Sequence, residues 1–246
     1  FPKNLDKIFF VCTGSEANDL ALRIAKNYTK AKNVLVMDNA YHGHTNSLID
    51  LSPYKFNSKG GEGQKDYVHV LRMPDEIRGK WIKNNNKWIN KYIEEAEEII
   101  HKSFNQKNSL SSFFFESILG CGGQIELPKG YLKNIIKLVR QKNALCIADE
   151  VQTGFGRVGS SFWAFEEHGI VPDIVTLGKP MGNGHPIAAV VTTKKISDTF
   201  NNGMEYFNSF GGNPVSCAVG NAVLDVIEKE NLQKNAKFVG DYFLKK

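Results

Sequence analysis

Short apolar runs recur along the chain at Ile8–Val11, Val34–Met37, Tyr67–Leu71, Phe113–Phe115, Ala144–Ala148, Ile174–Leu177 and Ile187–Val191. Most are apolar at successive rather than alternate positions, which predicts strands covered on both faces. Between several of them lie stretches with the period of an amphipathic helix. Ala17, Leu20, Ala21, Ile24, Ala25 and Tyr28 fall on one helical face. Trp88, Ile89, Tyr92, Ile93, Ala96, Ile99 and Ile100 fall on another, with Glu94, Glu95, Glu97 and Glu98 on the wet side. Val215, Ala218, Val219, Ala222, Val223, Val226 and Ile227 repeat the pattern near the end. The polar tract Lys83 to Lys87 reads as a surface loop. Buried strands alternating with helices predict an α/β fold, a mainly parallel sheet with helices on both faces. Ligands in such sheets bind beyond the carboxyl ends of the strands.

Composition narrows this picture little. The 246 residues allow one large α/β domain or two small ones, and hydrophobic residues at 41% with charged ones at 23% exclude wholesale disorder. The net charge of +5 comes from 31 basic and 26 acidic residues that are interspersed. That is a solvated surface, not a nucleic-acid or membrane footprint. Cys12, Cys121, Cys146 and Cys217 form no CxxC pair. Cys146 lies in an apolar run and Cys12 follows one, so we expect buried, reduced thiols and an intracellular, reducing compartment, cytoplasmic or mitochondrial. No signal-peptide pattern is present, and the chain opens almost directly into Ile8–Val11, as expected if its natural start lies upstream.

Three constellations carry chemistry. Thr13-Gly14-Ser15-Glu16-Ala17-Asn18 joins a strand to a helix, where small residues let N–H groups and hydroxyls converge on an anion; a plain helix cap at Thr13 or Ser15 fits the same residues. Cys146-Ile147-Ala148-Asp149-Glu150 delivers an acid at the carboxyl end of a buried strand, a position that also suits a cap or a metal ligand. Lys179 stands just past the strand Ile174–Leu177, 30 residues after Asp149. A lysine at a strand end is ordinarily only solvated. Together with the acid and the anion cradle it gains meaning, because pyridoxal phosphate needs a lysine for its aldehyde, an acid for its ring nitrogen and a seat for its phosphate.

Ala148-Asp149-Glu150-Val151-Gln152-Thr153-Gly154-Phe155-Gly156-Arg157 resembles the signature of the class III pyridoxal-phosphate aminotransferases. Pro172-Asp173-Ile174-Val175-Thr176 leading into Gly178-Lys179, Tyr41-His42-Gly43, and Gly211-Gly212-Asn213-Pro214 resemble the same family in the same order. The resemblance covers essentially the whole chain. It implies the large domain of a fold-type-I pyridoxal-phosphate enzyme over residues 1–230, incomplete at its start, with 231–246 opening a C-terminal small domain. It implies a homodimer with shared active sites acting on a primary amine. By the same resemblance Lys179 is the Schiff-base and proton-shuttling lysine, and Asp149 pairs with the ring nitrogen. Gln152 meets the ring's phenolic oxygen, Tyr41 and Val151 flank the ring, and Gly14 with Ser15 holds the phosphate. Ser209 stands where the family has a threonine that reaches the phosphate of the neighbouring subunit.

One departure bears on substrate. The family's Glu-Pro-x-Gln-Gly-Glu-Gly-Gly reads here Glu116-Ser117-Ile118-Leu119-Gly120-Cys121-Gly122-Gly123, so the carboxylate that gates glutamate is replaced by a thiol. Ser52-Pro53-Tyr54-Lys55-Phe56, Arg78-Gly79-Lys80, Cys121-Gly122-Gly123-Gln124, the run from Gly178 to Pro186 and Gly203-Met204-Glu205-Tyr206-Phe207 resemble one branch, the ethanolamine-phosphate and phosphohydroxylysine phospho-lyases. Alanine–glyoxylate aminotransferases are the nearest rival. Two other classes compete less well. Gly154-Phe155-Gly156-Arg157-Val158-Gly159 fits a dinucleotide fingerprint, but bulky residues follow it and Asp173 lies only 14 residues beyond Gly159. His42 and His44 beside Asp149-Glu150 suggest a metal hydrolase, yet they lack a third ligand at telling spacing. A non-catalytic protein retaining the fold is disfavoured by intact Lys179, Asp149 and Gln152. Borohydride reduction of the cofactor-loaded protein followed by peptide mapping should find the pyridoxyl group on Lys179; finding it on Lys55 or Lys194 would overturn the assignment.

Overall fold

A computed structural model describes residues 1–83, 87–105 and 107–246. The centre of the expected loop at 83–87 lies outside the described residues. All seven apolar runs are strands of one sheet: β1 (Lys7–Val11), β2 (Asn33–Met37), β3 (Val68–Leu71), β4 (Leu110–Glu116), then, after a two-residue hairpin of β5 (Ile118–Leu119) and β6 (Ile125–Glu126), β7 (Leu145–Asp149), β8 (Ile174–Leu177) and β9 (Ala188–Thr192). Their order across the sheet is β1-β9-β8-β7-β4-β2-β3. Only β9 runs against its neighbours, β1 and β8; the other pairings are parallel.

Helices cover both faces, as the unbroken apolar strands require. On one side lies α1 (Gly14–Thr29), with the short α2 (Asn46–Asp50) and α3 (Pro53–Phe56); on the other lie α4 (Trp88–Ser103) and α5 (Tyr131–Gln141). All seven residues of β4 are buried, and its pleat sends Phe113 and Phe115 into the core beneath α4 and α5 while Phe114 enters the core beneath α1. Helix α5 buries Tyr131, Leu132, Ile135, Ile136 and Val139 on one stripe. The chain then continues through α6 (Lys194–Phe200), α7 (Pro214–Lys229) and α8 (Leu232–Leu244).

Helix α1 starts where the sequence marks a cap. Thr13 is extended, its Oγ1 accepts the N–H of Glu16 at 3.1 Å, and the Glu16 carboxylate reaches back to the N–H of Cys12 at 2.6 Å. Of the two cap candidates, Thr13 therefore serves, which leaves Gly14 and Ser15 inside the first turn. Helix α7 forms as its apolar period predicts, yet only Ser216 of it is buried, and Val215, Leu224 and Val226 are exposed. On α8, Phe238, Val239, Tyr242, Phe243 and Leu244 are exposed as well. The cysteines are all free, with Cys146 buried and Cys12 half-buried rather than fully so, because it sits past the last residue of β1 at the helix cap. No helix among the described residues is long and apolar enough to cross a membrane.

Candidate active site

Strand register brings the candidate residues together. Glu116, the last residue of β4, pairs with Asp149, the last of β7, and Asp149 pairs with Thr176 of β8. Lys179 follows three residues later. Strands β1 and β2 end on the same edge, and their exits supply Gly14 with Ser15 and Tyr41 with His42. A cavity of about 240 Å3 opens at this edge, and Gly14, Ser15, Tyr41, Asp149, Val151, Gln152 and Lys179 all line it. Ser209 does not; it is exposed in the segment before α7.

Asp149 is buried, so its carboxylate needs donors. Its Oδ2 accepts from Asn18 Nδ2 at 2.8 Å and from His42 Nδ1 at 2.9 Å, and its Oδ1 accepts the N–H of Val151 at 3.1 Å. An ionised carboxylate only accepts, which fixes the His42 ring with its proton on Nδ1. Oδ1 keeps acceptor capacity for a donor entering the cavity, since a carboxylate offers about four lone-pair sites. Neither Asn18 nor His42 was singled out as a partner of Asp149 from sequence. Asn18 carried a faint signal as a polar residue amid the small and apolar face of α1. His42 was paired in sequence with His44, but in space His42 is buried against Asp149 and His44 is exposed.

Glu150, one residue on, points the other way and is structural. It is fully buried, and Ser117 Oγ, Thr153 Oγ1 and the N–H groups of Ala164 and Phe165 all donate to it within 2.9–3.1 Å. Burial pushes its carboxyl up from the usual range while those donors pull it back. The glycine motif beyond it forms successive turns, with the Gly156 N–H bonded to Phe162 O at 2.9 Å and that of Gly159 to Gly156 O at 3.0 Å. No helix begins there, contrary to what a dinucleotide fingerprint requires.

Glu116 completes the acidic floor. Its Oε1 accepts the N–H of Tyr41 at 3.2 Å and its Oε2 that of Gly120 at 3.1 Å. Burial raises its carboxyl above the usual value, His42 opposes that, and Asp149 adds to it. Burial also raises the Tyr41 phenol, with Cys121 and Asp149 adding to the effect. Lys179 has φ +30°, a left-handed backbone that a non-glycine residue adopts at a cost of about 1–3 kcal/mol. Its Nζ lies 3.4 Å from Gln152 Oε1. Packing is tight beside it: a Cβ on Gly14 would sit 2.6 Å from Val151 Cγ1, and one on Gly178 would sit 3.2 Å from the Gly14 backbone. Gly43, at φ +147°, lets the loop after β2 approach α1, where a Cβ would meet Ser15 Oγ at 2.8 Å.

The donor set fits pyridoxal phosphate. Gly14 and Ser15, which line the cavity, open α1, so their N–H groups have no carbonyl one turn back and suit an anion. The same cavity holds an acid with spare acceptor capacity, at the end of β7, and a lysine just past the end of the neighbouring β8. Such a sheet with an acid and a lysine beyond its strand ends agrees with the resemblance to fold-type-I pyridoxal-phosphate enzymes.

Residues 1–246 match the family aminotransferase class-III, and the chain belongs to that family, whose members depend on pyridoxal phosphate. It is 51% identical over 247 residues to an alanine–glyoxylate aminotransferase 2-like protein of Drosophila melanogaster, covering 99% of this chain and 50% of that one. It is 43% identical over 248 residues to ethanolamine-phosphate phospho-lyase homolog 1 of Caenorhabditis elegans, covering 96% and 53%. Among solved structures, a phospholyase from Arthrobacter in complex with phosphoethanolamine superposes with a TM-score of 0.90 at 38% identity, over 98% of this chain and 56% of that one. The chain thus spans about half the length of the curated relatives it matches.

Glu116 sets a pH dependence. Because its folded value lies above the unfolded one, the native state holds more protons and stability falls as pH rises from the ordinary carboxyl range through the raised value. Glu116→Gln should flatten that decline, measured as urea-unfolding free energy between about pH 4 and 8; an unchanged slope would mean another group carries it.

Proposed function

We propose that the protein is a phospho-lyase that eliminates phosphate from an ethanolamine-phosphate-like primary amine. The observation that carries this reading is Cys121. It lines the cavity where glutamate-using relatives have a carboxylate, so the mouth offers a thiol in place of an acid. The fold's close match to a phospholyase holding phosphoethanolamine supports it. The likeness to an alanine–glyoxylate aminotransferase 2-like protein favours the second reading, transamination.

The roles are those that the family resemblance implies, and the convergence of these residues on one cavity supports them. Gly14 and Ser15 bind the cofactor phosphate with the first N–H groups of α1. Tyr41 and Val151 would flank the ring, Gln152 would meet its phenolic oxygen, and Asp149, oriented by His42 and Asn18, would hold the proton on its nitrogen. When bound, the cofactor supplies an electron sink. Lys179 Nζ would hold the cofactor's aldehyde and, once free, would take the proton from the amine-bearing carbon. Phosphate leaves the adjacent carbon with the bonding electrons, and water then gives an aldehyde and ammonia. Ser209, exposed and outside this cavity, serves the site of a second copy in a homodimer. Residues 1–230 form the cofactor-binding domain, and α8, with its exposed apolar side chains, opens a second one.

Asp149→Asn should lower turnover by several orders of magnitude in a folded protein, because an amide nearly keeps the shape but cannot hold the ring nitrogen protonated. Near-normal turnover would make the acid structural. The reaction itself is tested by giving the full-length protein phosphoethanolamine without any keto acid and assaying inorganic phosphate. We expect phosphate and ammonia in equal amounts; turnover only with a keto acid would select the transaminase.

A further inference from the structure

We propose that Lys55 is a specificity residue of this site, an ammonium at the cavity mouth that binds the substrate's phosphate; the inference rests on the phospho-lyase reading. Lys55 Nζ lies 5.6 Å from the centre of the Tyr41 ring and 5.3 Å from that of Tyr54, and the two rings meet edge to face at 6.3 Å. Tyr41 lines the cavity, and so does Cys121. The Cys121 thiol is exposed, and the rise that partial desolvation and Glu116 impose on it is opposed by the ammoniums of Lys179 and Lys55. Lys55 thus stands just outside the cavity that Lys179 lines, its ammonium over the ring of the lining residue Tyr41.

Its charge is also free to act. Elsewhere in the fold Arg72 and Lys80 are neutralised by Glu95 and Arg78 by Asp75. Among the described residues no carboxylate pairs with Lys55. Two ring faces hold an ammonium in place without cancelling its charge, which an acid partner would do. The backbone beneath it is fixed to the catalytic floor. Lys55 N–H bonds to Ser52 O at 2.7 Å, buried Ser52 Oγ accepts the His42 N–H at 3.0 Å, and His42 holds Asp149. Three links therefore connect the Lys55 backbone to the acid.

This arrangement sorts charge. The floor is acidic through Asp149 and Glu116, and the mouth is cationic through Lys55. A substrate with an amine at one end and a phosphate two carbons away lies with its amine inward and its phosphate at Lys55. Lysine suits phosphate as a compact point charge with three donors. A phosphate-free amine gains nothing from it.

The test uses the full-length, cofactor-loaded protein and two variants: Lys55→Met, which keeps the stem on the rings and removes the charge, and Lys55→Arg, which keeps the charge. We expect Lys55→Met to raise KM for phosphoethanolamine at least tenfold with a smaller change in kcat, and to weaken competitive inhibition by inorganic phosphate similarly. Lys55→Arg should recover most of both. If the parent protein releases phosphate but Lys55→Met leaves KM and phosphate inhibition within twofold, the assignment of Lys55 is wrong and the phospho-lyase reading stands. Equal losses in both variants would make Lys55 a packing residue and also overturn it. If the parent protein releases no phosphate, the phospho-lyase reading fails and the role of Lys55 falls with it.

Discussion

A buried carboxylate must be surrounded by donors, and Asp149 organises the site through that need. One of its donors comes from α1, one from the loop after β2 and one from its own turn. Satisfying a single acid therefore holds the ends of three elements in mutual position. The constraint propagates, because His42 is itself held by Ser52, and Ser52 Oγ donates to Leu48 O at 2.6 Å. The loop after β2, α2 and α3 are thereby tied to the floor of the cavity. Loss of any one donor would leave a buried charge partly unpaired, a penalty of about 1–3 kcal/mol or more.

Parallel strands make that convergence possible. Strands β1, β2, β4, β7 and β8 all point their carboxyl ends at one edge, so each adds its next few residues to the same cavity. The antiparallel β9 lies between β8 and β1, so β1 joins the sheet pointing the same way as β8. Close contact among Gly14, Val151 and Gly178 draws the start of α1 against the exit of β8, at the spot where Lys179 takes its left-handed backbone. Glu150 complements this from beneath. Its four donors pin the turns after β7, so two adjacent acids divide the work, one facing the cavity and one locking the chain that follows.

The strands were legible because β-strands buried on both faces read as continuous apolar runs, and all seven runs join the sheet. Helices α1, α4 and α7 were legible from their period. Helix α5 escaped notice although it has the same kind of stripe, and the two-residue strands β5 and β6 are too short to leave a pattern. The site residues at strand ends were legible because acid, lysine and glycine-rich turn each stand beside an apolar run. Lys55 and Ser52 stood in a segment that resembled one branch of the family, but nothing in their spacing revealed what they touch.

By itself, then, the sequence determined which segments are strands and helices, and which polar residues stand at their ends, because burial writes its period locally along the chain. Only the tertiary structure decided the partners. That Asn18 and His42 donate to one oxygen of Asp149, that Glu116 lies in register beside it, and that Lys55 stands unpaired above Tyr41 all depend on contacts between distant segments. Asn18 and Asp149 are 131 residues apart, and no local pattern records which of the sheet's neighbours will supply a donor. Strand order and the close approach of helix to sheet fix those pairs, and both come from burying two apolar cores at once.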